Sequence, residues 1–385
     1  MIYKLKVEDL INVNENKSSF NLNDMIHICK RENNNKRDYL FVNKYLGKHY
    51  PVLGSKVIQL FSELYQELLK SDLKDKKILV VGFAETATAI SEFITHQSII
   101  NNDLNIVYHL QTTRENIDTK IKNISFQEEH SHAINQKLYW NEDKIPEYDT
   151  ILFVEDEITT GKTIINFIDR FKKINKNTNF YVTSILNWQN KENINKYKDL
   201  NIKTIYLVKG EIKERISKIK VNEIKKEDFF HSNQTNFENI LSNKNNPRLG
   251  LTREEFLDYI ETIPNLTKYN SENITIIGTE EFMYKAILLA NNLDTTVRST
   301  TRSPIVTSQE DCYLIQDGII LPSFYDSKRK TFLYNIDKDV DNIIFFVESK
   351  SSEWESKIRN IFKNKNLLFY NSIKEKDRGE TKWNL

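Results

Sequence analysis

Glycine is scarce in this chain, with nine in 385 residues, about a third of its usual share of roughly 7%. A residue used so sparingly is informative where it does occur. Gly82, Gly161 and Gly278 each follow an apolar run, directly or after a few acidic and threonine residues. An ordinary turn at a strand end explains any one of them alone. Cysteine is nearly absent: Cys29 and Cys312 lie far apart, which gives neither metal-ligand spacing nor a disulfide framework and fits a reducing cytosol. Neither sign of charge is in excess, since 55 Lys and Arg face 54 Asp and Glu for a net charge of +1. Composition therefore offers no argument for a nucleic-acid partner. Long apolar runs are missing as well. The greasiest stretch, 274–290, carries Glu280, Glu281 and Lys285 and is too polar to span a bilayer. Residues 1–6 lack the apolar core of a signal peptide. These absences predict a cytoplasmic chain without a membrane or nucleic-acid partner.

What is present is patterned. Hydrophobic residues make up 39% of the chain, enough for real cores, and the length suits two domains of ordinary size. Residues 76–82 read as a buried strand ending in a turn, and 84–95 as a helix with a small-residue start. Further strands are predicted over 105–110, 149–154, 181–186 and 202–208, with a helix from Thr163 to Phe171. Strands alternating with helices predict an α/β fold with a mostly parallel sheet flanked by helices on both faces. Residues 209–246 turn charged and then Asn-rich, which predicts a solvated helix and a linker. A second, smaller α/β pattern begins near Leu251, with strands at 274–278 and 342–347 and a helix at 280–292. The expected division is 25–212, a charged helical linker over 213–246, and a C-terminal domain over 247–385.

The two halves share an order of features. Val80-Val81-Gly82, Thr112-Thr113-Arg114 and Leu152-Phe153-Val154-Glu155-Asp156 are echoed by Ile276-Ile277-Gly278, Thr300-Thr301-Arg302 and Phe345-Phe346-Val347-Glu348-Ser349. Read this way, the second half is a degenerate copy that has lost the acidic pair. The competing reading is coincidence among common strand-end patterns, and strand order decides between them.

The segment Ile151-Leu152-Phe153-Val154-Glu155-Asp156-Glu157-Ile158-Thr159-Thr160-Gly161-Lys162-Thr163 carries the most chemistry. A buried strand delivers two acids to its carboxyl end, where open α/β sheets bind ligands. The residues after them are small or hydroxylated and lead into a helix, so backbone N–H groups, Thr hydroxyls and the helix N-terminus can wrap a phosphate. Glu155 and Asp156 then stand where ribose hydroxyls would lie. A P-loop is excluded, because it needs a Gly five residues before Gly161-Lys162 and Asp156 occupies that place. The first strand-to-helix turn, Gly82-Phe83-Ala84-Glu85-Thr86, allows close backbone approach to an anion. Glu85 there either caps the helix or meets an anion through a metal. Lys44, Lys48 and His49, among aromatics in 41–52, are candidates for base or phosphate contact. Arg114 could neutralise pyrophosphate through a bidentate fork, and Arg302 in Thr301-Arg302-Ser303-Pro304 could grip a phosphate or carboxylate. His130 and His132 form the one local His pair and read as surface residues more readily than as metal ligands.

The 151–163 segment resembles the 13-residue signature of type I phosphoribosyltransferases at twelve positions, with Glu157 departing where an apolar or Ser residue is usual. With 41–52, 82–88, 112–115, 128–132 and the Thr301-Arg302-Ser303-Pro304 motif, the chain resembles an orotate-phosphoribosyltransferase-like family. Members of that family occur in bacterial stress-response and tellurium-resistance gene clusters and carry a C-terminal domain named TRSP for that motif. The resemblance spans most of residues 30–350. It implies a pentosyl-type glycosyltransferase of nucleotide metabolism that uses phosphoribosyl pyrophosphate and Mg²⁺ and transfers 5-phosphoribosyl between pyrophosphate and a base-like acceptor. It also implies Glu155, Asp156 and Arg114 as catalytic residues, with the metal held by Asp156 and Glu155 through water or ribose. Residues 159–163, 82–86, Lys44, Lys48, His49 and Arg302 would hold the co-substrate. Type I enzymes often form homodimers. The alternatives are a non-catalytic phosphoribosyl pyrophosphate or nucleotide sensor, and the reverse reaction that splits a nucleotide.

Overall fold

The computed structural model describes residues 7–32, 38–117, 119–126, 136–172, 178–213, 220–230, 246–261, 266, 273–337 and 339–371. The first module runs through helix α1 (Val7–Leu10), β1 (Ile11–Asn16), α2 (Leu22–Met25), β2 (Ile26–Lys30), β3 (Tyr39–Asn43), β4 (Val52–Leu53), α3 (Gly54–Leu69), β5 (Ile78–Gly82) and α4 (Ala87–Asn101). It continues with β6 (Ile106–Gln111), β7 (Asn123–Phe126), β8 (Gln136–Tyr139), β9 (Thr150–Ile158), α5 (Lys162–Phe171), β10 (Asn179–Asn187), α6 (Lys191–Asp199) and β11 (Ile202–Ile212). The second comprises β12 (Glu227–Asp228), β13 (Leu251–Thr252), α7 (Arg253–Ile260), β14 (Ile274–Gly278), α8 (Tyr284–Asn292), β15 (Thr296–Ser299), β16 (Gly318–Pro322), β17 (Lys330–Tyr334), β18 (Asn342–Val347), α9 (Ser352–Ile361) and β19 (Asn366–Asn371).

Two mostly parallel sheets result, ordered β1-β11-β10-β9-β5-β6-β13 and β19-β18-β14-β15-β4. Their central strands are buried on both faces, as expected where helices cover both sides. Alternation along β5 and β9 divides the side chains between two cores: Val80, Leu152 and Val154 face one, and Leu79, Val81 and Phe153 the other. The first of these cores is shared between modules. Helices α3, α4, α7 and α8 form a layer between the two sheets, and the inner faces of both sheets pack on it. Helix α3 supplies an apolar stripe, Val57, Leu60, Phe61, Leu64 and Leu68, at the three- and four-residue spacing of a buried helical face. Helices α5 and α6 cover the outer face of the first sheet, and α9 that of the second.

The strand order of the second sheet repeats that of the first: β19, β18, β14 and β15 stand as β10, β9, β5 and β6 do. Each sheet is closed by a two-residue antiparallel strand donated by the other module. Leu251–Thr252 pairs with β6, and Val52–Leu53 pairs with β15. Each donated strand leads directly into a middle-layer helix, α7 or α3. Hydrogen bonds repeat too. Thr112 N–H donates to Gly82 O at 2.9 Å, and Thr300 N–H to Gly278 O at 3.0 Å. Ala84 N–H donates to Thr112 Oγ1 at 2.8 Å, and Glu280 N–H to Thr300 Oγ1 at 3.0 Å. The modules are thus related by an internal two-fold relation.

Two sequence expectations need correction. Gly82 is level with Val154, but Gly278 is level with Phe346. The counterpart of Glu348 is therefore Asp156, one residue later than the sequence echo suggests. The charged stretch 213–246 is expected to be helical, yet its described residues, 213, 220–230 and 246, are not. Glu227–Asp228 extends the β16–β17 sheet by pairing with Ile319–Ile320, and Lys226 is buried beside Glu32 and over the Phe332 and Tyr334 rings. Tertiary pairing overrides the weak helical preference of a charged segment.

Candidate active site

The cleft lies at the carboxyl ends of β9 and β5. Residues 150–154 are buried, whereas Glu155, Asp156 and Glu157 are partly exposed. Strand β9 therefore stops being core where its acids begin. Ile158 turns back into the outer core, anchoring the far side of the acidic triplet. The chain then reverses at Gly161, whose φ of +73° is a left-handed conformation suited to glycine. A Cβ there would run into the Tyr197 hydroxyl, which donates to Gly161 O at 3.2 Å. Gly161 is also the N-cap of α5, and Lys162 N–H donates to Thr160 Oγ1 at 3.3 Å. The helix is seated by Ile164, Phe167, Ile168 and Phe171.

The enclosed space is about 260 Å³. Glu155 to Gly161 and Thr163 line one side. Ala84, Glu85, Thr86 and Arg114 line another, and Arg31, Leu40, Phe41 and His49 a third. Ser303, from the second module, completes the wall. Most residues singled out in the sequence thus converge on one cleft. Others do not reach it. Gly82 and Phe83 lie beneath it, Phe83 packing on Phe153 and Phe167. Lys162 is exposed at the start of α5. Lys44 pairs with Asp24 at 2.8 Å away from the cleft. Arg302 is drawn to Glu280 at 2.5 Å and to Glu115, so its neighbour Ser303 faces the space instead. His130 and His132 lie outside the described residues. Arg31, Leu40 and Ser303 were not anticipated. Of these only Ser303 carried a sequence signal, its place in the Thr-Arg-Ser-Pro motif.

The electrostatics divide the acids. Burial, and then the adjacent Glu157 carboxylate, push Asp156 up to about 7. Glu85 goes the other way. Burial opposes its ionisation, but Lys48 at 2.9 Å, Arg114 at 3.6 Å and Arg302 bring it down to about 2. An ionised Glu85 consumes its charge on these cations rather than repelling an incoming anion. Burial, and then Lys48, lower His49 to about 3, so its ring is neutral at physiological pH, with Nε2 3.4 Å from Thr301 Oγ1. In the second module the place of Asp156 is sealed. Arg248 donates to both Glu348 oxygens at 2.5 and 2.6 Å, and all these groups are buried. The peptide between Ala84 and Glu85 is cis. No described helix is long and apolar enough to cross a membrane.

Comparison with known proteins matches residues 25–211 to a family described as phosphoribosyl transferase, and residues 245–362 to the TRSP domain that stands C-terminal to it. Among solved structures, the chain is similar to adenine phosphoribosyltransferase of Saccharomyces cerevisiae, at 12% identity over 48% of this chain and 94% of that one, with a TM-score of 0.31. The Giardia lamblia enzyme gives 12% identity over 47% and 93%, with a TM-score of 0.34. The xanthine-guanine-hypoxanthine phosphoribosyltransferase of Helicobacter pylori gives 17% over 42% and 87%, with a TM-score of 0.25. No curated protein matches the sequence. The chain thus carries a phosphoribosyl transferase domain followed by a TRSP domain.

Proposed function

We propose that the protein transfers a 5-phosphoribosyl group between pyrophosphate and a base-like nitrogen, with Mg²⁺ and phosphoribosyl pyrophosphate as co-reactants. The observation that carries this reading is the cleft itself, where Glu155 and Asp156 stand open beside a Thr-rich turn leading into a helix. In this reading residues 25–212 perform the transfer, 213–246 connect, and 247–385 wall the cleft.

Thr159 to Thr163 hold the 5′-phosphate through backbone N–H groups, hydroxyls and the start of α5. Glu155 and Asp156 accept the ribose hydroxyls. The anomeric C–O bond breaks ahead of C–N bond formation, and the two carboxylates compensate the cationic sugar left behind. The backbone of 84–86 and Arg114 take the departing pyrophosphate. Leu40 and Phe41 offer an apolar wall for a planar acceptor, with neutral His49 beside it. Among the described residues no cluster of three or more His, Cys, Asp or Glu forms a cage for a metal. That suits Mg²⁺, which typically takes one or two carboxylates and fills its shell with water and substrate oxygens. Asp156 and Glu155 are the carboxylates placed to hold it, and when bound it neutralises leaving-group charge.

The test is to incubate the protein with phosphoribosyl pyrophosphate, Mg²⁺ and a panel of heterocyclic nitrogen acceptors, and to measure pyrophosphate release. Asp156→Asn should lower turnover by about 10²–10³-fold with the fold retained. Full activity in that variant would remove Asp156 from the mechanism. Tight binding without release for any acceptor would replace the enzyme by a sensor.

A further inference from the structure

Each module reaches across the two-fold relation to hold the other's strand-to-helix turn. Arg302 N–H donates to Glu85 Oε1 at 3.3 Å, and its counterpart Arg114 N–H donates to Glu281 Oε1 at 3.2 Å. Lys48, just before the donated strand β4, lies 2.9 Å from Glu85. Arg248, just before the donated strand β13, lies 2.9 Å from Glu281. The symmetry ends at the clefts. Arg248 goes on to close over Glu348, so the counterpart of Asp156 is buried in an ion pair, whereas Asp156 lines an open space.

We propose that Glu281, in the TRSP domain, is a positioning residue for the phosphoribosyl site. Held by Arg248, it fixes the 112–114 segment and through it sets the guanidinium of Arg114 over the cleft. The second module thereby does the work of a tethered second subunit. This rests on the reading of the cleft given above. Glu281 is buried and does not line the cleft, so it touches no substrate. Its Oε2 accepts from Thr113 Oγ1 at 2.8 Å and from Arg248 Nε at 2.9 Å, while Oε1 accepts from the Arg114 amide. The carboxylate thus takes two bonds from the segment that carries Arg114. Its backbone carbonyl also accepts from Thr88 Oγ1 at 2.9 Å, at the start of α4. The turn of one module and the arginine segment of the other are therefore tied at one residue. Arg114 in turn lies 3.6 Å from Glu85, in the wall of the cleft.

The experiment is a double-mutant cycle on the full chain, with Arg114→Ala, Glu281→Gln and the pair, reading Mg²⁺-phosphoribosyl pyrophosphate binding by calorimetry alongside thermal unfolding. Glu281→Gln should weaken binding by about ten-fold, and in the Arg114→Ala background it should add little further loss, because residues acting as one unit are non-additive. Losses that multiply in the double variant would show Glu281 acting without Arg114 and overturn the proposal. Binding unchanged in a folded Glu281→Gln protein would do the same. Where Glu281→Gln fails to fold, Thr113→Val removes one bond of the same set and takes its place in the cycle. Wild-type protein that binds no phosphoribosyl pyrophosphate would instead overturn the reading of the cleft, and this inference with it.

Discussion

Asp156 is a cleft residue whose charge changes within ordinary assay conditions, because burial and Glu157 hold it near 7 against a usual value of 3.8. The proposed chemistry needs its ionised form, so kcat/KM, which reports the free protein, should rise as pH passes upward through about 7, and Asp156→Asn should flatten that limb of the profile. The same shift has a consequence for stability. A carboxyl whose pKa is raised by folding favours the folded state while protonated, and that contribution is lost as pH rises through the folded value. Asp156→Asn abolishes the ionisation. Its unfolding midpoint should exceed that of wild type at pH 8, with the difference shrinking toward pH 4. A variant that is inactive yet more stable at high pH marks a group kept for function at the expense of stability. A variant less stable than wild type at pH 8 would place Asp156 among structural acids. Glu85, lowered to about 2 by its cations, shows that a neighbouring acid in the same cleft is ion-paired and structural in character. No sequence spacing distinguishes the two, since the difference comes from Lys48 and Arg302, which are remote in the chain.

At the scale of the element, the turn from β9 into α5 depends on Gly161. Alanine there would have to adopt φ near +73° and displace Tyr197. We expect Gly161→Ala to destabilise the chain by about 1–3 kcal/mol and to weaken phosphoribosyl pyrophosphate binding more than the loss of fold explains. Chemical denaturation and calorimetry on one preparation check both, and an unchanged midpoint with unchanged affinity would refute the role given to this turn. This element was legible in the sequence, because an apolar run, an acidic pair and a hydroxyl-rich turn are all local. The central strands were legible for the same reason: the apolar runs at 78–81, 151–154 and 343–347 are unbroken. The donated strands Val52–Leu53 and Leu251–Thr252 were not. Two residues carry no periodicity, and their partners lie more than a hundred positions away. The one-residue offset between Asp156 and Glu348 was equally hidden, since Glu348 looks like Glu155 until the register with Gly278 is known. Strand β19 was missed because the run at 367–370 is short and follows a charged helix.

At the scale of the molecule, the exchange of strands makes the two modules one folding unit. Helix α4 is buried on nearly every side, because α8 and α7 pack where solvent would face an isolated first module. The first module alone would expose that apolar layer, lose the strand that closes β6, and leave Lys48 without its Glu280 carbonyl acceptor and Glu85 without the Arg302 amide. The second module alone would lose β4 from the edge of β15 and, with it, the Thr113 hydroxyl and Arg114 amide that donate to the buried Glu281 carboxylate. Leaving a buried charged acceptor short of its donors costs about 1–3 kcal/mol. That is a sizeable share of the 5–15 kcal/mol by which folded chains are commonly stable. Fragments 1–230 and 246–385 expressed separately should therefore be insoluble or bind a hydrophobic dye, and should lack cooperative unfolding. Co-expressed, they should associate into a complex that unfolds in one transition, because the middle helical layer and both donated strands are restored. A soluble 1–230 fragment that unfolds cooperatively and binds phosphoribosyl pyrophosphate as the whole chain does would show the second module to be an appendage. It would also show that the bonds Glu281 makes to Thr113 and Arg114 are of no consequence to the cleft.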